Sequence, residues 1–243
     1  MEVAMAREDL LARTFVELAD TLVDDFDIVE VAQTLVERCV ELFGATAAGV
    51  LLGDPHGTLR VLASSSEQLR VVELFEIQAQ EGPCLDCYRT GEPVVNQDLA
   101  RVNGRWPRFV PVALGAGYHS VHALPIRLRQ QVLGALNLFA ADAGPLDAAD
   151  VLVAQAFADA TAVAILQQRA LQDAHLLATQ LATALDSRIL IEQAKGMLAE
   201  RAGLSIADAF GQLRRYARSH NQKLTSVCQG VIEGRLSSSD LSL

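Results

Sequence analysis

Two cysteines three residues apart, Cys84 and Cys87 in E-G-P-C-L-D-C-Y-R, are the first candidates for chemistry. That is the spacing of a redox dithiol or of half a metal site. No second Cys pair accompanies them, and His56, His119 and His122 stand at no ligand spacing from them. Three readings therefore fit the pair: a structural pair in a loop, a redox-responsive dithiol, or the edge of a pocket. A functional thiol needs a depressed pKa, and Arg89 and a nearby helix start keep that reading open. His119 and His122, three apart on a strand, point to opposite faces, which disfavours a joint metal site. One of them is expected to face a pocket, so Cys84, Cys87, His119 and Trp106 are the candidate residues for a sensor pocket or a redox function. No Gly-rich phosphate loop, G-x-S-x-G or H-E-x-x-H occurs, which leaves an enzyme without a foothold and no cofactor identified.

The second set of candidates is cationic and lies between Ser187 and Leu236. On a helical wheel Leu190, Ala194, Met197 and Leu198 share one face, while Arg188 and Lys195 lie on the other. A second helix is expected to bury Ile206, Ala209, Phe210, Leu213 and Ala217, with Arg214, Arg215 and Arg218 on an arc away from them. A third buries Leu224, Val227, Cys228 and Val231, with Thr225 toward the surface. Gly203 suits a left-handed cap and Ser205 the next N-cap. Helices this short must bundle, which leaves the cations outside. Arg and Lys among Asn221, Gln222 and Thr225 can neutralise phosphates and hydrogen-bond bases. Lys195, Arg214, Arg218 and Lys223, with Arg188 and Arg215 behind them, are the candidate contacts.

Composition agrees with that asymmetry. The chain of 243 residues has a net charge of −10, yet from Ser187 onward 8 Lys and Arg face 5 Asp and Glu, against 12 and 25 before it. A basic tail on an acidic body suggests an anionic partner for the tail only. Four cysteines are too few for a disulfide scaffold. With no apolar run of about 18 residues and no secretory pattern at the N-terminus, the expectation is a cytoplasmic protein without a membrane partner.

The elements positioning these residues follow from periodicity. Leu10 to Phe43 reads as two helices around the acidic break D-D-F-D, with Gly44 as a C-cap. A-A-G-V-L-L-G, D-P-H-G and T-L-R-V-L-A-S form a hairpin, and a helix fits Ser66 to Gln78. Glu81 to Gly117 reads as irregular, the place to seek a ligand pocket. Two strands, S-V-H-A-L-P-I-R-L and Q-V-L-G-A-L-N-L-F-A, follow with R-Q at their turn. Helix then runs proline-free from Ala148 to about Arg201. About 40 residues of it would span some 60 Å. Phe157, Ala160, Ala164, Gln167, Leu171, Ala174, Ala178, Leu181 and Leu185 form a heptad seam, predicting a homodimer through a coiled coil. The fold class is α+β: one antiparallel sheet with helices against it, a long helix, and a C-terminal three-helix bundle.

The residues E-G-P-C, G-E-P-V-V with a following D-L, R-W-P-R-F, and the S-V-H-A-L-P-I hairpin into V-L-G-A-L-N-L-F resemble the GAF family over roughly Leu10 to Gln168. The resemblance implies a small-molecule or interaction domain with a pocket under the middle loops. The N-K-x-F-D-E pattern of its cyclic-nucleotide-binding subgroup is absent. I-E-Q-A-K-G together with A-F-G-Q-L-R-R-Y-A closely resembles the ANTAR family, RNA-binding modules of bacterial transcription antitermination regulators. Its pattern carries to Ala194, Lys195, Gly196, Ala209, Phe210, Leu213, Arg214 and Ala217, with Cys228 departing from the usual alanine. GAF followed by ANTAR resembles actinobacterial regulators of this type. The implied organisation is a sensor domain over 1–168, a long-helix linker over 148–187 overlapping it, and an RNA-binding module over 187–243. The implied function is a dimeric antitermination regulator binding paired hairpin loops in nascent RNA. The rival is a sensor whose helical tail docks a protein partner without RNA.

Overall fold

The computed structural model describes residues 2–20 and 27–241, in two compact units, Met1–Ala170 and Leu171–Leu243. The expected end of the first helix and most of the acidic break after it, residues 21–26, lie outside the described residues.

In the first unit five strands pair antiparallel throughout, in the order β2-β1-β5-β4-β3. They are β1 (Ala47–Gly53), β2 (Leu59–Ser64), β3 (Val94–Asp98), β4 (Ser120–Leu128) and β5 (Gln131–Ala140). Every residue of β1 is buried, because the sheet is covered on both faces. A strand covered on both sides is apolar continuously rather than alternately, which is why A-A-G-V-L-L-G carries no period-two signal. On one face lie α1 (Glu2–Asp20), α2 (Ile28–Phe43) and the start of α6 (Ala148–Ala202), with Leu35, Val36, Leu124, Leu136, Phe157 and Ile165 at the core. On the other lie α3 (Glu67–Ala79), α4 (Pro83–Thr90) and α5 (Phe109–Gly115), around Leu51, Leu69, Trp106, Phe109, Val121 and Phe139.

Local chemistry sets the ends of these helices. The Asp27 carboxylate accepts from the Val29 N–H at 2.8 Å, and Gly44 closes α2 in the left-handed conformation. Ser66 caps α3 by accepting from the Leu69 N–H. The segment read as irregular is more ordered than its sequence suggests. Pro83 and Gly91 bracket α4, and V-V-N-Q-D adds β3 as an edge strand beside β4. Elements of five to eight residues are too short to display a period, and pairing with a neighbour decides them.

The long helix runs 55 residues, within one residue of the expected Ala148 to Arg201. Its seam needs correction. Phe157 and Ala164 are buried in the first unit's own core, and Ala160 packs against it, so these positions do not face a partner. From Arg169 to Asp186 every residue is exposed, including Leu171, Leu181 and Leu185 of the seam and Leu176 and Leu177 beside it. Among the described residues α6 is also the one helix long and apolar enough to cross a bilayer, with 39% of its most apolar window buried within the protein.

In the second unit, the end of α6 joins α7 (Ile206–Ser219) and α8 (Leu224–Ile232) around Ala194, Leu198, Ala209, Leu213, Val227 and Val231. Gly203 turns the chain at φ 64°, and Ser205 accepts from the Asp208 N–H at 3.1 Å. Ile206, expected inside, stays half exposed because it stands at the first position of α7.

Candidate functional site

The cysteine pair sits on the α3–α4 face beneath two buried carboxyls. Cys84 and Leu85 donate their backbone N–H groups to Glu76 Oε1 at 2.8 and 3.3 Å, while Asn137 Nδ2 donates to Glu73 Oε1 at 3.0 Å. Glu73 Oε2, Glu76 Oε2 and Asn137 Oδ1 make no hydrogen bond among the described residues. Burial pushes both carboxyls up to about 8, so each is held neutral at neutral pH. Glycines make room for them. A Cβ on Gly49 would stand 2.1 Å from Glu73 Oε1, and one on Gly82, at φ 148°, would stand 2.3 Å from Glu76 Oε1.

The thiols share this environment. Burial, and the carboxyls beside it, hold Cys84 well above the ordinary thiol value, and burial pushes Cys87 up to about 12. The pair is a protonated dithiol, and the thiolate that attacks disulfides or binds metal is disfavoured. Among the described residues no group of three or more His, Cys, Asp or Glu could hold a metal ion.

The histidines go elsewhere. His119 is exposed just before β4. His122 lies on the opposite face, where Nδ1 accepts from the Asn96 N–H at 3.0 Å and burial lowers the ring to about 4. Trp106 is buried, its Nε1 donating to Asp86 Oδ2 at 3.0 Å, with Arg105 on the same oxygen at 2.8 Å. Glu81 accepts from the N–H groups of Arg108 and Phe109 and so closes the start of α5. The motif residues of the middle segment thus clasp it shut, and the rings of Trp106, Phe109, Tyr118 and Phe139 occupy the face where a pocket was expected. Glu81→Ala orphans both N–H groups and should lower stability in urea by about 1–3 kcal/mol; an unchanged midpoint and slope would contradict the clasp.

The second unit assembles the cations more closely than the wheel implied. Lys195 Nζ and the Arg214 guanidinium lie over the Phe210 ring, 5.3 and 5.7 Å from its centroid, joining α6 to α7. Phe210 is half-buried rather than a core residue. Lys195 also pairs with Glu192 at 2.8 Å, and only 15% of its side chain is exposed, so it is a positioned cation and not a free one. Arg214 and Arg218, one turn apart, line a groove of about 370 Å³ with Ala217, Asn221, Gln222 and Leu224. Lys223 lines a second groove, of about 540 Å³, with Tyr216, Gln222, Ser226 and Arg235. Arg188 and Arg215 are exposed and line neither.

A ring under two cations, with Arg218 further along the same groove, forms a surface able to hold anionic groups beside an aromatic face. Sequence reading missed the ring-and-cation cluster and Arg235. The i, i+4 spacing of Phe210 and Arg214 was the available signal for the first; for Arg235 there was none.

A family model described as GAF domain matches residues 27–166, and one described as ANTAR domain matches residues 179–232. No curated protein matches the chain. Among solved structures, the GAF domain of a phosphoenolpyruvate-protein phosphotransferase from Coxiella burnetii is similar at 20% identity and a TM-score of 0.55, covering 70% of this chain and 98% of its own. The free methionine-R-sulfoxide reductase from Neisseria meningitidis, in complex with its substrate, is similar at 18% identity and 0.53, covering 70% and 93%. At such identities the likeness establishes the fold of the first unit alone.

Proposed function

Because the chain belongs to the GAF family and carries an ANTAR domain behind the GAF domain, sensor and regulatory modules rather than catalytic ones, we propose that it is a signal-responsive, RNA-binding antitermination regulator. It binds paired hairpin loops of nascent transcripts as a dimer and so keeps a terminator hairpin from forming. The observation that carries this reading is the face formed by Lys195, Phe210, Arg214 and Arg218 on a protein whose net charge is −10. An acidic body repels nucleic acid, so cations concentrated on one module localise RNA there. Loops splay bases that side chains can reach, whereas A-form stems offer mostly shape and phosphate.

Dimerisation supplies the pairing. Leu171, Leu181 and Leu185, each more than half exposed, recur at heptad-compatible spacing on a stretch that no described residue of one protomer covers. Two modules held together convert the second loop contact into an intramolecular event. Leu181→Asp with Leu185→Asp should shift the sedimenting species from dimer to monomer and abolish preference for two hairpins over one. A wild-type chain that sediments as a monomer at high micromolar concentration would overturn the pairing. The reading as a whole is tested by competition: the wild-type chain should bind a two-hairpin RNA in preference to a single hairpin and to duplex DNA. Equal binding to all three, or none, would reject it. A small-molecule signal acts through the GAF unit, in a cytoplasmic setting.

A further inference from the structure

The last turn of α7 carries a feature the phosphate-binding cations do not explain. Tyr216 and His220 stack with ring centroids 3.9 Å apart and planes 20° apart. Tyr216 is half-buried against the bundle core, and His220 is exposed, so one imidazole face lies on the tyrosine and the other meets solvent. The imidazole is held in place. Its Nδ1 lies 3.0 Å from the Tyr216 carbonyl oxygen and 3.1 Å from Ser219 Oγ. A carbonyl only accepts, so Nδ1 carries the proton, and in a neutral ring Nε2 is left as an outward acceptor.

The turn that follows leads from this platform into both basic grooves, and Tyr216 itself lines the second. Asn221 adopts φ 51°, and Gln222 donates its N–H to the Ala217 carbonyl at 2.8 Å, which reverses the chain on backbone bonds alone. The side-chain amides of Asn221 and Gln222 are exposed and make no hydrogen bond among the described residues. Gln222 lines both grooves, the one holding Arg214 and Arg218 and the one holding Tyr216, Lys223 and Arg235. Cations and two unengaged amides thus line the grooves next to one stacked ring pair. Phosphates run along grooves, and an unstacked base needs an aromatic face and an amide edge.

Resting on the RNA-binding reading, we infer that the Tyr216–His220 stack is the site where one splayed loop nucleobase docks, with Asn221 and Gln222 reading its edge while Arg214, Arg218 and Lys223 hold the neighbouring phosphates. Lys195 and Phe210 anchor the backbone. The Tyr216–His220 stack supplies sequence preference.

The test uses the full chain and a tight-binding two-hairpin RNA selected from a pool of fixed stems and randomised loops. In the wild type, abasic substitution scanned through the loops should find one position whose base removal weakens binding about five- to a hundredfold. His220→Ala should weaken the intact RNA by a similar factor, leave the salt slope unchanged, and show no further loss with that abasic RNA. His220→Phe, which keeps an aromatic ring, should recover most of the affinity. A ring that merely caps α7 would lower thermal stability without any loop position losing its importance. A wild type insensitive to every abasic position, or an H220A protein that still senses the abasic position in full, overturns the platform. A wild type that enriches no RNA from the pool overturns the RNA-binding reading, and the platform with it.

Discussion

Replacing Lys195 and Arg214 together by alanine should weaken the binding of each module to its hairpin by about a hundredfold at ~0.15 M salt, and flatten the dependence of log affinity on log salt by about 1.4 per module, with twice that slope change when both modules of a dimer engage two hairpins. The first figure follows from two charge-assisted contacts of about 1.5 kcal/mol each, the second from about 0.7 released counterions per single-strand phosphate. Both residues lie over one ring, Phe210, so their losses are coupled and the sum of about 3 kcal/mol is an upper limit for the pair. Removing Lys195 frees Glu192, its partner at 2.8 Å, to repel the phosphate it once neutralised. Arg188→Ala is the internal comparison, since Arg188 lines neither groove and should cost a single counterion at most. Filter binding or anisotropy across a salt series reads both quantities, and circular dichroism confirms that the bundle persists. Unchanged affinity and slope with an intact fold would remove this face from the interface.

The second large effect concerns stability. With Glu73 and Glu76 each pushed up to about 8 by burial, from an ordinary value of 4.5, the folded protein holds protons that the unfolded chain releases between those limits. A raised carboxyl pKa contributes stability that is fully present below about 4.5 and is lost as pH rises through about 8. Stability of the GAF unit should therefore fall with pH across that window, on the order of 1 kcal/mol per pH unit for each carboxyl. His122, lowered to about 4, acts in the opposite sense between its ordinary 6.5 and 4, so the clean decline lies above pH 6.5. Glu73→Gln with Glu76→Gln replaces each acid by a neutral amide of similar shape. The variant should lose the decline and exceed the wild type above pH 8 by a few kcal/mol. Urea midpoints at pH 6.5, 7.5 and 8.5 measure this. A wild-type midpoint that rises over this range would refute it.

The neutral acids bear also on the cysteines. Spacing alone left Cys84 and Cys87 open to redox chemistry, and the deciding facts are tertiary. A carboxyl from α3, eight residues upstream, sits on the Cys84 N–H, and the sheet buries both thiols. No pattern in E-G-P-C-L-D-C announces an acid that arrives from another helix. His122 is similar, since its face is fixed by strand parity but its partner, the Asn96 N–H, comes from an edge strand that sequence reading took for loop.

What the sequence determined by itself was what depends on local order. Apolar spacing, Gly44, Gly203 and Ser205 placed helices and caps, because a 3.6-residue period and a capping hydroxyl act within a few residues. The three-helix module and its outward cations followed, because short amphipathic helices have one way to hide their apolar faces. The tertiary structure decided which surfaces remained available. It buried Phe157 and Ala164 in the sensor's own core and left the leucines from Leu171 to Leu185 uncovered. It also drew Lys195 and Arg214 onto one ring, and packed Trp106, Phe109, Tyr118 and Phe139 together on the α3–α5 face of the sheet. Each of these outcomes depends on segments far apart in the chain competing for the same apolar surface, and a one-dimensional period carries no record of which competitor wins.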